Sequence, residues 1–174
     1  LSYYLSDPAV RERAWRSRMD HRAWIAEPNA GHAAFVALER RGVLSLLVTQ
    51  NIDGLHQLAG TSAERIVEIH GTMRDVSCLA CGWRGPMQDT LDRVRAGEAD
   101  PPCLECGGIL KSATISFGQS MVEEDVARAF EAASEADLIL AVGTTLAVYP
   151  AANVVPIGAR SGAAIVIVNG EATE

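Results

Sequence analysis

Lysine is nearly absent from this sequence. Of its 15 basic residues all but Lys111 are arginine, and nothing in the sequence accounts for that bias. Positive charge as a whole is short: 22 acidic residues leave a formal net charge of −7 and a pI near 5.1. Such a surface gives no footprint for direct nucleic-acid or membrane binding and suits a positively charged partner segment better. No apolar run approaches the roughly 20 residues of a membrane-crossing helix, so the chain reads as soluble. No secretory leader is visible, because Leu1 is followed by polar, arginine-containing sequence. Internal repeats and low-complexity tracts are also missing. So is the G-x-G-x-x-G fingerprint, which leaves ordinary dinucleotide binding without a motif. Cysteine is scarce, and all four cysteines fall in two tight pairs.

What remains is 174 residues, 48% hydrophobic and 21% charged. That is about one domain's worth of chain, with enough apolar content for a buried core. Residues 1–28 mix Arg11, Arg13, Arg16, Arg18 and Arg22 with Trp15, Met19 and Trp24. The spacing predicts one or two short helices, with the arginines as a solvated face. Residues 30–41 place Phe35, Val36 and Leu38 on one helical face, and Gly42 stops that helix. Apolar runs of strand length follow at 43–48 (VLSLLV), 65–69 (RIVEI), 138–142 (LILAV) and 163–168 (AAIVIV), with a weaker one at 114–117. Runs of this kind suit strands buried on both faces. Val122, Val126 and Phe130 repeat at helical spacing, and a further helix is expected from near Pro150 to before Gly162. Strands alternating with helices predict an α/β fold built on a doubly wound parallel sheet. Residues 72–108 interrupt the alternation with no sustained strand, and only a short helix around 89–95.

That interruption holds two CxxCG knuckles, Cys78 with Cys81 and Cys103 with Cys106, separated by 21 residues. Two residues between thiolates let both sulfurs face one ion, and the following glycine permits the turn that aims backbone N–H groups at sulfur. Four thiolates close the coordination sphere and leave no position for water or substrate. The expected ion is a structural zinc, holding together a module too small to be stabilised by core burial alone. A redox dithiol or paired disulfides is the competing reading, and the duplicated knuckle weighs against it. Reduced, metal-ready cysteines fit a cytoplasmic setting.

In an open α/β sheet, ligands bind at the carboxyl ends of the strands. Three such ends here are densely polar: Gln50, Asn51, Ile52, Asp53 and His56 after the run at 43–48; His70-Gly71-Thr72 after 65–69; Gly143-Thr144-Thr145 after 138–142. Small hydroxyl residues and glycine ahead of a helix make an anion cradle. Asn and Asp also brace turns without any ligand, and a lone histidine is more often structural, which is the reading for His21 and His32. His70 differs because it stands where a strand hands over to glycine at the ligand edge.

Together, 49–60 (TQNIDGLHQLAG), 66–72 (IVEIHGT), the paired CxxC, 116–119 (SFGQ), 141–152 (AVGTTLAVYPAA) and 167–169 (IVN) resemble the sirtuins, the NAD-dependent protein-lysine deacylases. The resemblance covers roughly residue 28 to the end. It implies a Rossmann-like doubly wound parallel sheet with an inserted small zinc-ribbon module. The corresponding domains are a small helical module that includes 1–28, an incomplete Rossmann-like NAD-binding domain of 29–71 and 109–174, and a zinc-ribbon insertion of 72–108. It implies NAD as co-substrate, structural Zn2+ on Cys78, Cys81, Cys103 and Cys106, and acyl-lysine proteins or peptides as partners, met with NAD in the cleft between the modules.

In the family the acyl oxygen attacks the ribose carbon as nicotinamide leaves, and a histidine then activates a ribose hydroxyl, a role suited to an imidazole. His70 matches that base. Asn51 and Asp53 match the residues that position the ribose and the nicotinamide carboxamide, with Gln50 and Ile52 in the same wall. Gly143, Thr144 and Thr145 match the phosphate and ribose segment, and Asn169, Gly170 and Glu171 the adenosine-ribose end. Ile115, Phe117, Gly118 and Val148 match the lining of the acyl-lysine site, where a peptide binds as an added strand. Two other readings share part of these features: mono-ADP-ribosyl transfer, and a non-catalytic zinc-ribbon or NAD-binding relic.

Some positions depart from the family pattern. Gln119 stands where an acid is usual, residues 111–114 lack the usual Arg-Pro, and Thr145 stands where Ser is common. The first two bear on acyl or peptide preference and not on the chemistry. The family's Gly-Ala-Gly-x-Ser loop and Pro-Asp-Phe-Arg segment would precede Leu1, and its last strand would follow Glu174. The expectation is therefore a fragment that alone binds NAD poorly and turns over little.

Overall fold

Residues 1–170 are described by the computed structural model. Its helices are α1 (Ser2–Ser6), α2 (Pro8–Met19), α3 (Ala30–Arg40), α4 (Leu55–Ala59), α5 (Met87–Arg95), α6 (Glu123–Glu135) and α7 (Val154–Ser161). Its strands are β1 (Leu47–Thr49), β2 (Ile66–Glu68), β3 (Gly71–Cys78), β4 (Arg84–Pro86), β5 (Leu110–Thr114), β6 (Leu138–Val142) and β7 (Ala164–Val168). They divide between two compact units. One contains residues 1–33, 51–60 and 70–120; the other contains 34–50, 61–69 and the chain from 121 onward.

The second unit is the parallel α/β part. β1 pairs with β2, Leu47 opposite Ile66, and β6 pairs with β7, Leu138 opposite Ala164, both in parallel. Val67, Ile69, Ala129 and Ala151 form its core, with Val48, Val126, Phe130 and Val154 packed around them. Glu123, Glu124 and Asp125 fill the first turn of α6, where carboxylates favour the helix dipole.

Two expectations need correction here. The first strand begins at Leu47 and not at residue 43, because the end of α3 uses Val43. The Gly42 N–H donates to the Glu39 carbonyl and the Val43 N–H to the Leu38 carbonyl, a Schellman closure that spends Val43's amide on the helix. Nor are β6 and β7 buried on both faces. Ala141 is buried and Ile139 and Ile165 are half-buried, whereas Leu138, Leu140, Val142, Val166, Ile167 and Val168 are exposed. Apolar composition marks a strand, but burial needs a layer against each face; α7 packs on β6 and β7.

The first unit is built on an antiparallel sheet with β3 in the centre, Val76 lying opposite Gly85 of β4 and Ser112 of β5. Its core gathers Trp15, Val76, Cys78, Met87, Leu91, Cys103 and Leu110. β3 is a strand that the sequence reading missed, and the fifth strand lies at Leu110–Thr114 instead of 114–117. α2 starts where Asp7 Oδ1 accepts the Ala9 N–H, with Pro8 as first helical residue. Arg11 is not on a solvated face: its Nε pairs with Asp100 at 2.7 Å and its Nη1 donates to the carbonyls of Tyr4 and Leu5. The Tyr4 hydroxyl donates to the Leu110 carbonyl at 2.7 Å, and burial pushes its pKa up to about 12. Lys111 is only 3% exposed. Its Nζ donates to the carbonyls of Ser112 and Thr114, and burial, with Arg18 nearby, brings its pKa down to about 8.

Among the described residues no helix is long and apolar enough to cross a membrane.

Candidate active site and metal centre

The four cysteine sulfurs lie within 4.8 Å of one another, and none is in a disulfide. Cys78 and Cys106 sulfurs are 3.5 Å apart, and those of Cys81 and Cys103 are 3.9 Å apart. A tetrahedral zinc with bonds of about 2.3 Å needs sulfurs about 3.8 Å from each other, so the quartet fits that ion. The Ala80 N–H donates to Cys78 Sγ and the Gly108 N–H to Cys106 Sγ, each at 3.4 Å. Backbone donors, that of Cys81 above all and then that of Ala80, lower the Cys78 thiol to about 6. For Cys106 the Gly108 N–H pulls downward, but the neighbouring sulfurs of Cys81 and Cys78 prevail and push it up to about 12. Four thiolates this close need a divalent cation to be held together.

The same unit carries the turn with Asn51, Ile52 and Asp53, and it carries His70. Residues 70–74 are stitched to that turn: the Met73 N–H donates to the Ile52 carbonyl at 2.9 Å, and Arg74 Nε donates to the Asp53 carbonyl at 2.8 Å. The Asp53 carboxylate accepts the Leu55 N–H at 3.0 Å and so opens α4. Asn51 is exposed, while Asp53 and His70 are half-buried. The backbone of His70 is pinned from the other side, where its carbonyl accepts the Ile115 N–H at 2.8 Å. Gly71 follows at φ +71, and a Cβ there would stand 2.1 Å from the Ala113 carbonyl oxygen. Only glycine lets β3 leave His70 in this geometry.

His56 and His32 rings lie 4.7 Å apart. Burial first, then His32, lowers the His56 pKa, against an opposing pull from Asp53. His32 Nδ1 contacts Asn29, and His21 Nδ1 accepts the Ala23 N–H at the head of a 3-10 turn. Arg74 is the residue of this site that sequence reading passed over. No sequence signal marks it, since the β3 register shifts between Gly71 and Val76 and its partners Trp24 and Asp53 are brought to it by the tertiary fold.

In the parallel unit the carboxyl ends of β1, β6 and β7 converge on Thr144. Gln50 Nε2 donates to Thr144 Oγ1 at 3.2 Å, the Leu146 N–H to the same oxygen at 3.1 Å, and Asn169 Nδ2 to the Thr144 carbonyl at 3.1 Å. The Gly143 N–H donates to the Val168 carbonyl and the Gly170 N–H to Asn169 Oδ1. Gln50, Gly143, Thr144, Asn169 and Gly170 are thus one cluster at the ligand edge of the strands. Thr145 is exposed beside it, and Glu171 lies outside the described residues.

Ile115 is half-buried, while Phe117 is 99% exposed and Gly118 is also open. Gln119 closes that segment on itself: its Oε1 accepts the Ser116 N–H and its own N–H donates to the Ser116 carbonyl. A side-chain carbonyl serves this turn without a carboxylate's charge. Val148 is exposed in the parallel unit.

A parallel, Rossmann-like α/β unit together with a four-cysteine zinc ribbon defines the class of this protein. The Sir2 family model matches residues 2–150. NAD-dependent protein deacetylase 2 of Streptomyces coelicolor is 50% identical over 171 residues, covering 98% of this chain and 71% of that protein. The NAD-dependent protein deacetylase of Thermodesulfovibrio yellowstonii is 36% identical over 173 residues, covering 98% and 67%. A solved structure of a Sir2 protein with a p53 peptide and NAD+ superposes with a TM-score of 0.89 at 30% identity, covering 99% of this chain and 70% of that one. One with a propionylated peptide reaches 0.89 at 30%, covering 99% and 71%. The chain belongs to the Sir2 family.

Proposed function

We propose that this chain carries the catalytic machinery of an NAD-dependent protein-lysine deacylase, which transfers the acyl group of acyl-lysine to ADP-ribose and releases nicotinamide. The supporting observation is the stitching of residues 70–74 to the 52–53 turn, together with the hydrogen bond from the Ile115 N–H to the His70 carbonyl. One short segment thereby links the candidate base, the polar turn and the strand assigned to acyl-lysine. NAD supplies the activated ribose carbon and the leaving group. His70 takes the proton of a ribose hydroxyl, Asn51 and Asp53 orient the ribose and the carboxamide, and Gln50 and Ile52 wall that position. Gly143, Thr144 and Thr145 hold the phosphate and ribose portion, with Asn169, Gly170 and Glu171 at the adenosine ribose. Ile115, Phe117, Gly118 and Val148 flank a substrate peptide bound as an added strand. Zinc on Cys78, Cys81, Cys103 and Cys106 is structural, because no coordination position is left for substrate. The proposed zinc ribbon is 72–108, with 1–28 in a helical module and 29–71 and 109–174 in the NAD-binding domain. A cytoplasmic setting, where thiols stay reduced, suits the quartet, and no direct nucleic-acid contact is proposed for so acidic a chain.

The test is His70→Ala in the complete protein. Nicotinamide release from NAD in the presence of an acetyl-lysine peptide falls by about a hundredfold or more, while zinc content is unchanged. Unchanged release rejects the role of His70.

A further inference from the structure

We propose that Arg74 is a positioning residue for the reaction, a cationic clamp that fixes the Asn51–Asp53 turn. The inference rests on the deacylase reading of that turn and goes beyond it, since none of the motifs behind that reading includes Arg74.

Three contacts define the clamp. Arg74 Nε donates to the Asp53 carbonyl at 2.8 Å. The guanidinium carbon lies 5.3 Å from the centre of the Trp24 ring, over its face, where the ring's electrons attract a cation. The third contact is steric. Gly54 sits at φ +71, and a Cβ there would meet Arg74 Cγ and Nε at 3.0 Å. The arginine shaft therefore fills the space a side chain at 54 would need, and the turn rests on it. Next door, the Met73 N–H donates to the Ile52 carbonyl, and Thr72 Oγ1 accepts the Arg74 N–H.

The chemistry of the guanidinium explains why an arginine suits this place. A planar cation can stack on an aromatic face and donate in its own plane at the same time. Arg74 makes no ion pair among the described residues, and its Nη2 is buried without a hydrogen-bond partner. Its charge is met by the Trp24 ring and the Asp53 carbonyl dipole, so the Asp53 carboxylate stays with the Leu55 N–H. A carboxylate partner for Arg74 at this spot would compete for that alignment. The clamp acts on the backbone of the turn, through the Asp53 carbonyl, and makes no demand on the side chains of Asn51 and Asp53.

The experiment uses the complete protein with Arg74→Met, which keeps the shaft and removes donor and charge, and Arg74→Lys, which restores charge and one donor. In R74M, kcat/KM for NAD falls about tenfold or more, as loss of a charged hydrogen bond and of fixed geometry implies. The KM for the acetyl-lysine peptide and the zinc content stay within about twofold, and R74K recovers part of the loss. Hydrogen exchange at the amides of Leu55 and Leu58, which bond Asp53 Oδ1 and the Gly54 carbonyl, speeds up about tenfold in R74M, while the cysteine knuckles keep their protection. NAD kcat/KM within twofold of the parent overturns the proposal, as does unchanged exchange at those two amides. Equal losses for NAD and peptide accompanied by loss of zinc overturn it as well, since that is damage to the whole unit. If the parent protein does not cleave NAD, the deacylase reading fails, and the exchange measurement alone decides whether Arg74 clamps the turn.

Discussion

At the scale of single residues, the candidate chemistry depends on backbone geometry as much as on side chains. His70 stands between a carbonyl pinned by Ile115 and a glycine in left-handed conformation. Gly71→Ala puts a methyl group 2.1 Å from a carbonyl oxygen and adds a left-handed penalty of about 1–2 kcal/mol. It is expected to abolish turnover and lower the melting temperature, measured by peptide deacylation and thermal unfolding. The His32–His56 pair gives a second prediction. The folded state disfavours the charged form of His56, chiefly through burial, so the unfolded chain binds more protons at low pH. Stability from this source is intact above the ordinary histidine value near 6.5 and declines as pH falls through it toward the lower folded value. His56→Gln flattens that slope in melting temperatures measured between about pH 7.5 and 5.

Residue chemistry was the more legible part of the sequence. Asn51, Asp53 and His70 stand out as candidates through polar clustering at strand ends, and their proposed roles come from the family resemblance. Arg74 does not stand out, because an arginine in a polar stretch carries no mark of stacking beneath a turn until the tertiary fold brings Trp24 to it.

The elements divide along similar lines. Residues 138–142 declared their strand at its full length, while β3 was invisible: its sequence GTMRDVSC mixes glycine, charge and cysteine, and only pairing with both β4 and β5 makes it a strand. The knuckles were legible because their spacing is set by the ion and not by the sheet. Their closeness yields a prediction for Gly108, where a Cβ would fall 2.7 Å from that of Ala80 and 3.0 Å from Cys78 Sγ. Gly108→Ala spreads the sulfurs, weakens metal retention in a competition with a chromogenic chelator and leaves α7 and β7 untouched. Retention equal to the parent's refutes the crowding.

On the scale of the whole molecule, the tryptophans happen to report on one half only. Trp15 is in the core of the cysteine-bearing unit, and Trp24 and Trp83 pack against it, while the parallel unit has none. Stripping the metal with a strong chelator is expected to shift tryptophan emission to the red, as a core organised around Cys78 and Cys103 opens. Emission that stays put under complete metal removal would show that this core holds without the ion.

The lone lysine has a bearing on labelling chemistry. A chain assigned to stripping acyl groups from lysine keeps its own lysine amine sealed beneath strand carbonyls, so amine-directed reagents and acyl donors in solution find no side-chain target while the fold is closed. Modification of that one position thus becomes a clock for how often the fold breathes.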